Sequence, residues 1–176
     1  FIAVNGGPGA NPAGFRAEMT ASAIEWRGAS GIVGKWNFDT SAGDPLLTSL
    51  PGSFNFSTST PTGQGRSLTT GNGQPITFHI DADRRFGFQG SSTIALWVRP
   101  TTAPDNAAGE YLVQYGGTGG YLLWLAQGRK LAYSVPGKGE AISSLVLPSD
   151  GNWHHVAVVH NAGRNVNFYL DGHLRQ

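Results

Sequence analysis

From Ser91 to Gly172, apolar and polar residues alternate in short runs, and clusters of glycine, proline, asparagine or aspartate separate most of them. "STIALWVR" is the clearest run: Ile94, Leu96 and Val98 share one face, and Thr93, Ala95, Trp97 and Arg99 share the other. A period of two is the side-chain period of a strand, whereas a helix needs apolar residues three and four apart. "PITFHI", "EYLVQYG", "GYLLWLA", "KLAYSV", "ISSLVL", "WHHVAVVHN" and "VNFYL" read the same way, and Gln127-Gly128 is a short join expected to fold two of them into a hairpin. Many short strands with turn signals every ~8–12 residues predict an all-β, antiparallel two-sheet jelly-roll sandwich. No helix of ordinary length is expected after residue 31.

The first 31 residues read differently. "VNGGPGANP" is turn-rich, and "GFRAEMTASA" alternates Phe15, Ala17, Met19, Ala21 and Ala23 against Arg16, Glu18, Thr20 and Ser22. A helix competes, because Phe15, Met19, Ala23 and Trp26 share a helical face, but Thr20 and Ser22 favour a strand. Residues 1–31 are therefore expected to be an extension or linker holding a strand, with "RGASG" leading into the main domain at residues 32–176.

Composition enters as a set of exclusions. Charged residues are 13% of the 176, and the net charge is +1, with Arg84-Arg85 the densest basic run. No nucleic-acid footprint follows from that distribution. Nor does any apolar run reach the length of a membrane span. There are no cysteines, which excludes disulfide scaffolds, thiolate metal sites and cysteine nucleophiles. Gly 26 and Pro 10 together make about a fifth of the chain, below the roughly 25–30% that signals disorder. A chain of this length can bury roughly 70% of its unfolded surface in a core.

"LPSDGNWHHVAVVHNAGRNVNFYLDG", Leu147 to Gly172, is the most specific stretch. It resembles the laminin-G-like, concanavalin A-like lectin/glucanase jelly roll of bacterial extracellular proteins. "IVGKWNFD", "GRSLTTGNGQPITF" and "STIALWVRP" precede it in the order such a domain requires, so the resemblance runs from Ile32 to about Leu174. It implies a non-catalytic module of a secreted or surface protein that binds a glycan or protein ligand. Two other roles fit the family: a structural subunit of an extracellular filament or surface assembly completed by strand exchange, or an accessory domain of a glycan-active enzyme. Asp171-Gly172 is a hairpin turn followed only by His173, Leu174, Arg175 and Gln176. A complete domain of the family continues for several more strands. The closing strands are therefore expected from the remainder of the same chain or from a neighbouring subunit, with "FIAV" and "GFRAEMTASA" as candidate donors.

Chemistry is sparse. Only Asp81 and Asp83 have the two-residue spacing that lines up an acid and a nucleophile on a strand, and they sit beside Arg84-Arg85, where a solvated turn explains them. His154 and His160 share a strand face six residues apart, about 20 Å, too far to ligate one metal. The resemblance makes His154 structural. It also implies Ca²⁺ held by oxygen ligands at a rim, for which Asp39, Asp44, Asp105 and Asp150 are the candidates. Tyr115, Tyr121, Trp124 and Tyr133, around the Gly-rich "GGTGGY", are the candidate sugar-stacking rings, while Trp36, Trp97 and Trp153 are read as core or sheet-packing residues.

Overall fold

The computed structural model describes residues 2–4, 19–28, 31–36, 38, 55–70, 76–78, 90–100, 110–116 and 120–175. Among them the strands are β1 (Ile2–Val4), β2 (Met19–Gly28), β3 (Gly31–Trp36), β4 (Asn55–Ser57), β5 (Ser67–Thr70), β6 (Ile76–Phe78) and β7 (Ser92–Pro100). They continue with β8 (Glu110–Tyr115), β9 (Tyr121–Ala126), β10 (Lys130–Val135), β11 (Gly139–Val146), β12 (His154–Asn161), β13 (Asn165–Leu170) and β14 (His173–Arg175). A single 3-10 turn, Gln127–Arg129, joins β9 to β10 where the hairpin was expected. The all-β expectation holds.

Two sheets form. One has the order β11-β10-β9-β8-β1-β6, and the other β14-β13-β12-β7-β2-β5-β4 with β3 also paired to β2. The period-two reading of β7 is realised along its whole length. Its burial alternates residue by residue, with Ile94, Leu96 and Val98 facing inward at 2% exposure or less. β12 sends Val156 and Val158 into the same core, β13 sends Phe168, and the opposite sheet answers with Val113, Leu123, Leu125, Leu131, Leu145 and Leu147. Apolar area removed from water on both inner faces holds the sheets together.

Two described segments of the first 31 residues, Ile2–Val4 and Met19–Gly28, are built one into each sheet. β1 lies between β6 and β8 and runs parallel to each, pairing Ile2 with Ile76 and Val113. β2 lies beside β7 with antiparallel register Met19↔Pro100 to Arg27↔Thr93. Along its other edge Met19–Ala21 pair with β5 and Ile24–Gly28 pair with β3. The strand reading of this segment holds over Met19–Ala23, and Gly14 to Glu18 lie outside the described residues. Both candidate donor segments thus contribute strands to this chain's own sheets. The parallel pairing of β1 departs from an otherwise antiparallel structure and has no counterpart in local sequence pattern.

The turn at Asp171-Gly172 forms as expected, with positive φ at both residues (50° and 78°), and β14 pairs back on β13 from Leu170↔His173 to Phe168↔Arg175. Positive φ at two successive residues is the geometry of the hairpin turn that Asp-Gly favours. Gly172→Ala places a Cβ in the left-handed region and is expected to cost about 1–2 kcal/mol. For a domain of this size that lowers Tm by roughly 2–8 °C, readable by thermal unfolding.

Candidate functional site

The first polar constellation sits where β12 begins. His154 is buried at the start of that strand, and both its ring nitrogens meet carboxylates: Nδ1 is 2.9 Å from Asp171 Oδ2, and Nε2 is 3.1 Å from Asp150 Oδ1. Asp171 Oδ1 also accepts the His155 backbone N–H at 2.9 Å, and Asp150 Oδ1 accepts that of Asn152 at 2.9 Å. Burial alone would push the His154 imidazole down, but hydrogen bonds and charges from the two aspartates outweigh it, and its pKa lies above the ordinary value. Asp150 is lowered to about 2, first by the Asn152 N–H. Burial opposes ionisation of Asp171, and the His154 and His155 contacts override it, so its pKa is lowered. Both ring nitrogens of His154 and both carboxylate oxygens of Asp171 are engaged by protein. The arrangement is a clamp that ties the loop before β12 to the β13–β14 turn, in keeping with a structural His154.

The sugar-stacking candidates are placed as follows. Tyr115, Tyr121 and Tyr133 are buried in the core, the last two at 2% exposure. They form a ladder across three strands, with ring centroids 5.6 Å apart for Tyr115–Tyr121 and 6.2 Å for Tyr121–Tyr133. The ladder crosses to the other sheet at His160, whose ring is 5.7 Å from Tyr133. Burial leaves Tyr115 and Tyr121 no open face to offer a ligand. Trp124 is half-buried and sits out of phase with Tyr121, Leu123 and Leu125, on the outer side of β9. Trp97 and Trp153 pack against the outside of the β7–β12 sheet. Trp97 meets His155 edge-on at 5.2 Å, and the Arg99 guanidinium lies 5.6 Å from the Trp153 ring while donating to Ser59 Oγ at 2.8 Å. Asp39, Asp44, Asp105, Asp81, Asp83 and His79 lie outside the described residues. Among the described residues, no group of three or more His, Cys, Asp or Glu side chains could hold a metal ion.

Among the described residues, a concavity that could hold a ligand lies elsewhere. At one end of the sandwich, the β10–β11 and β12–β13 hairpins stand side by side around a cleft of about 260 Å³. Tyr133, Val135, Ala141 and Val166 give it an apolar side. Lys138 and Glu140 from the first hairpin, and His160, Arg164 and Asn165 from the second, give it a polar one. Both turns are closed by backbone bonds, Lys138 N–H to Val135 O and Arg164 N–H to Asn161 O, each 2.9 Å. Asn161 Nδ2 donates to Asn165 Oδ1 at 3.0 Å, and Asn165 Nδ2 to Asn167 Oδ1 at 2.6 Å, which fixes the second turn.

Lys138 and Arg164 have no carboxylate within 4 Å among the described residues. Buried Nδ1 of His160 has no hydrogen-bond partner among them, and burial followed by the Lys138 charge pushes the imidazole below its ordinary pKa. Burial raises the Tyr133 hydroxyl to about 12, only partly countered by its hydrogen bond with Ser92. Of the aromatics singled out from sequence, Tyr133 alone lines this cleft. Lys138 and Arg164 are ordinary turn residues and Glu140 opens a strand beside one of those turns, so only the packing of two hairpins makes the three neighbours.

A laminin G family model described as the concanavalin A-like lectin/glucanases superfamily matches residues 70–176, more than half of the chain. No curated protein and no solved structure matches. Among the described residues, no helix is long and apolar enough to cross a membrane.

Proposed function

The chain belongs to the concanavalin A-like lectin/glucanases superfamily, and from that premise we propose that it is a non-catalytic glycan-binding module of a secreted or surface protein. The observation that carries this reading is the cleft between the two hairpins. It combines a wall of ring and aliphatic carbons with donors and acceptors on the opposite side, the two kinds of surface a sugar ring presents to a protein. Its Lys138 and Arg164 cations meet no carboxylate within 4 Å among the described residues, whereas the Asp150, His154 and Asp171 side chains bond one another. Glu140 is the one carboxylate lining the cleft. Glycoside hydrolysis ordinarily needs two, about 5–9.5 Å apart across the scissile bond, which supports binding without turnover.

A glycan array tests the proposal. The protein is expected to retain a restricted set of glycans, and Arg164→Ala is expected to weaken those hits at least tenfold with an unchanged Tm. Hits that survive Arg164→Ala and Lys138→Ala undiminished would remove the cleft as the site. Release of shortened products from a bound glycan would show turnover.

A further inference from the structure

We propose that the cleft takes a sugar ring bearing a carboxylate, and that the carboxylate and a proton on His160 enter together. This rests on the reading of the cleft as the ligand site. Lys138 and Arg164 reach it from separate hairpins against the single carboxylate of Glu140, so the lining carries two cations to one anion. Neither cation is paired within 4 Å among the described residues. An unpaired guanidinium offers the fork that a carboxylate fills with two parallel hydrogen bonds. The volume of about 260 Å³ is at the small end for a ligand cavity and suits one ring rather than an extended chain. Val135, Ala141 and Val166 supply carbon for the ring's C–H face. Glu140 supplies an acceptor for hydroxyls, and an acidic peptide side chain has no such groups to use it.

His160 supplies the coupling. The residue lines the cleft, and its Nδ1 is buried with no hydrogen-bond partner among the described residues. Two things oppose its protonation in the free protein, burial first and the Lys138 charge second. Of the other groups facing it, Arg164 carries a second positive charge and Glu140 a negative one, and burial raises the Tyr133 hydroxyl to about 12. A ligand carboxylate beside Lys138 offsets that cation's field on His160, so the bound state favours the imidazolium that the free state resists. Binding then takes up a proton, and affinity rises as pH falls. A sulfate ester is a weaker base and shares that proton less well.

Isothermal titration of the intact chain with glucuronate, glucose, glucose 6-sulfate and glutamate reads both parts. Glucuronate is expected to bind at least tenfold more tightly than the other three. Its binding enthalpy should depend on the buffer's ionisation enthalpy in the sense of proton uptake. Its Kd should fall between pH 8 and pH 6, by at most about tenfold per pH unit for one proton. His160→Gln should abolish the uptake and flatten that pH dependence, while Arg164→Ala should weaken glucuronate most. Equal binding of glucose, preference for the sulfate or for glutamate, or no proton uptake at any pH would overturn the proposal. If array glycans still depend on Arg164 while glucuronate shows no advantage, this inference fails and the cleft reading survives. Array hits indifferent to Arg164 would fail both.

Discussion

Phe168→Ala is expected to lower unfolding stability by about 3–5 kcal/mol, which can be a third or more of the total for a domain of ordinary stability. The magnitude follows from position. Phe168 is 2% exposed and is the one residue of β13 that is fully buried, its five neighbours on the strand being half-buried or exposed. Its ring is the main apolar anchor of β13 to the core, and among the described strands β14 pairs only with β13. Truncation leaves a cavity against Val156 and Val158 that the sheet backbone cannot collapse to fill. Denaturant unfolding should show the lost stability with little change in m. Hydrogen exchange should show β13 and β14 losing protection before β7 and β12. An effect under 1 kcal/mol would mean that the hairpin is held by its backbone ladder instead.

Asp171→Ala is expected to cost about 1–3 kcal/mol, because it leaves the buried His154 ring and the His155 N–H without their shared partner. Exposure of the aspartate to solvent places the effect toward the lower half of that range. The clamp also predicts a pH profile. His154 has its pKa raised in the fold, so its contribution is full below its unfolded value of 6.5 and is lost as pH rises through the folded value. Asp150 and Asp171 have theirs lowered, so their contribution is full above 3.8 and is lost as pH falls through the folded values, about 2 for Asp150. Stability from the clamp is therefore greatest between about pH 4 and 6.5. His154→Gln should flatten the alkaline fall measured by Tm between pH 6 and 9. An unchanged slope in that variant would assign the fall to another group.

Much of this architecture is legible in alternation alone. Ile94, Leu96 and Val98 face inward as their spacing predicts, and so do Val156 and Val158. The same rule sorts the tyrosines. Tyr121 is in phase with Leu123 and Leu125, and Tyr133 with Leu131, so period two already marks them as inward. Reading them by residue type, as stacking platforms, set that signal aside. His154 was legible as a structural histidine, but its partners were not, because Asp171 is 17 residues away and Asp-Gly reads only as a turn. The cleft was illegible for a different reason. Lys138 and Arg164 lie in turns of two hairpins on different sheets, and the sandwich alone makes them neighbours. β4, at three residues, is too short to show a period.

The parallel insertion of β1 sets an order of events during synthesis. Ile2–Val4 leave the ribosome well before their partners, Ile76–Phe78 on one side and Val113–Tyr115 on the other. β2 likewise waits for β7. Neither sheet can acquire its middle until those later strands have emerged. Closing loops of that length costs chain entropy before any pairing offsets it. Slow, high-contact-order folding is the consequence, with β1, made ahead of both its partners, among the last strands to be ordered.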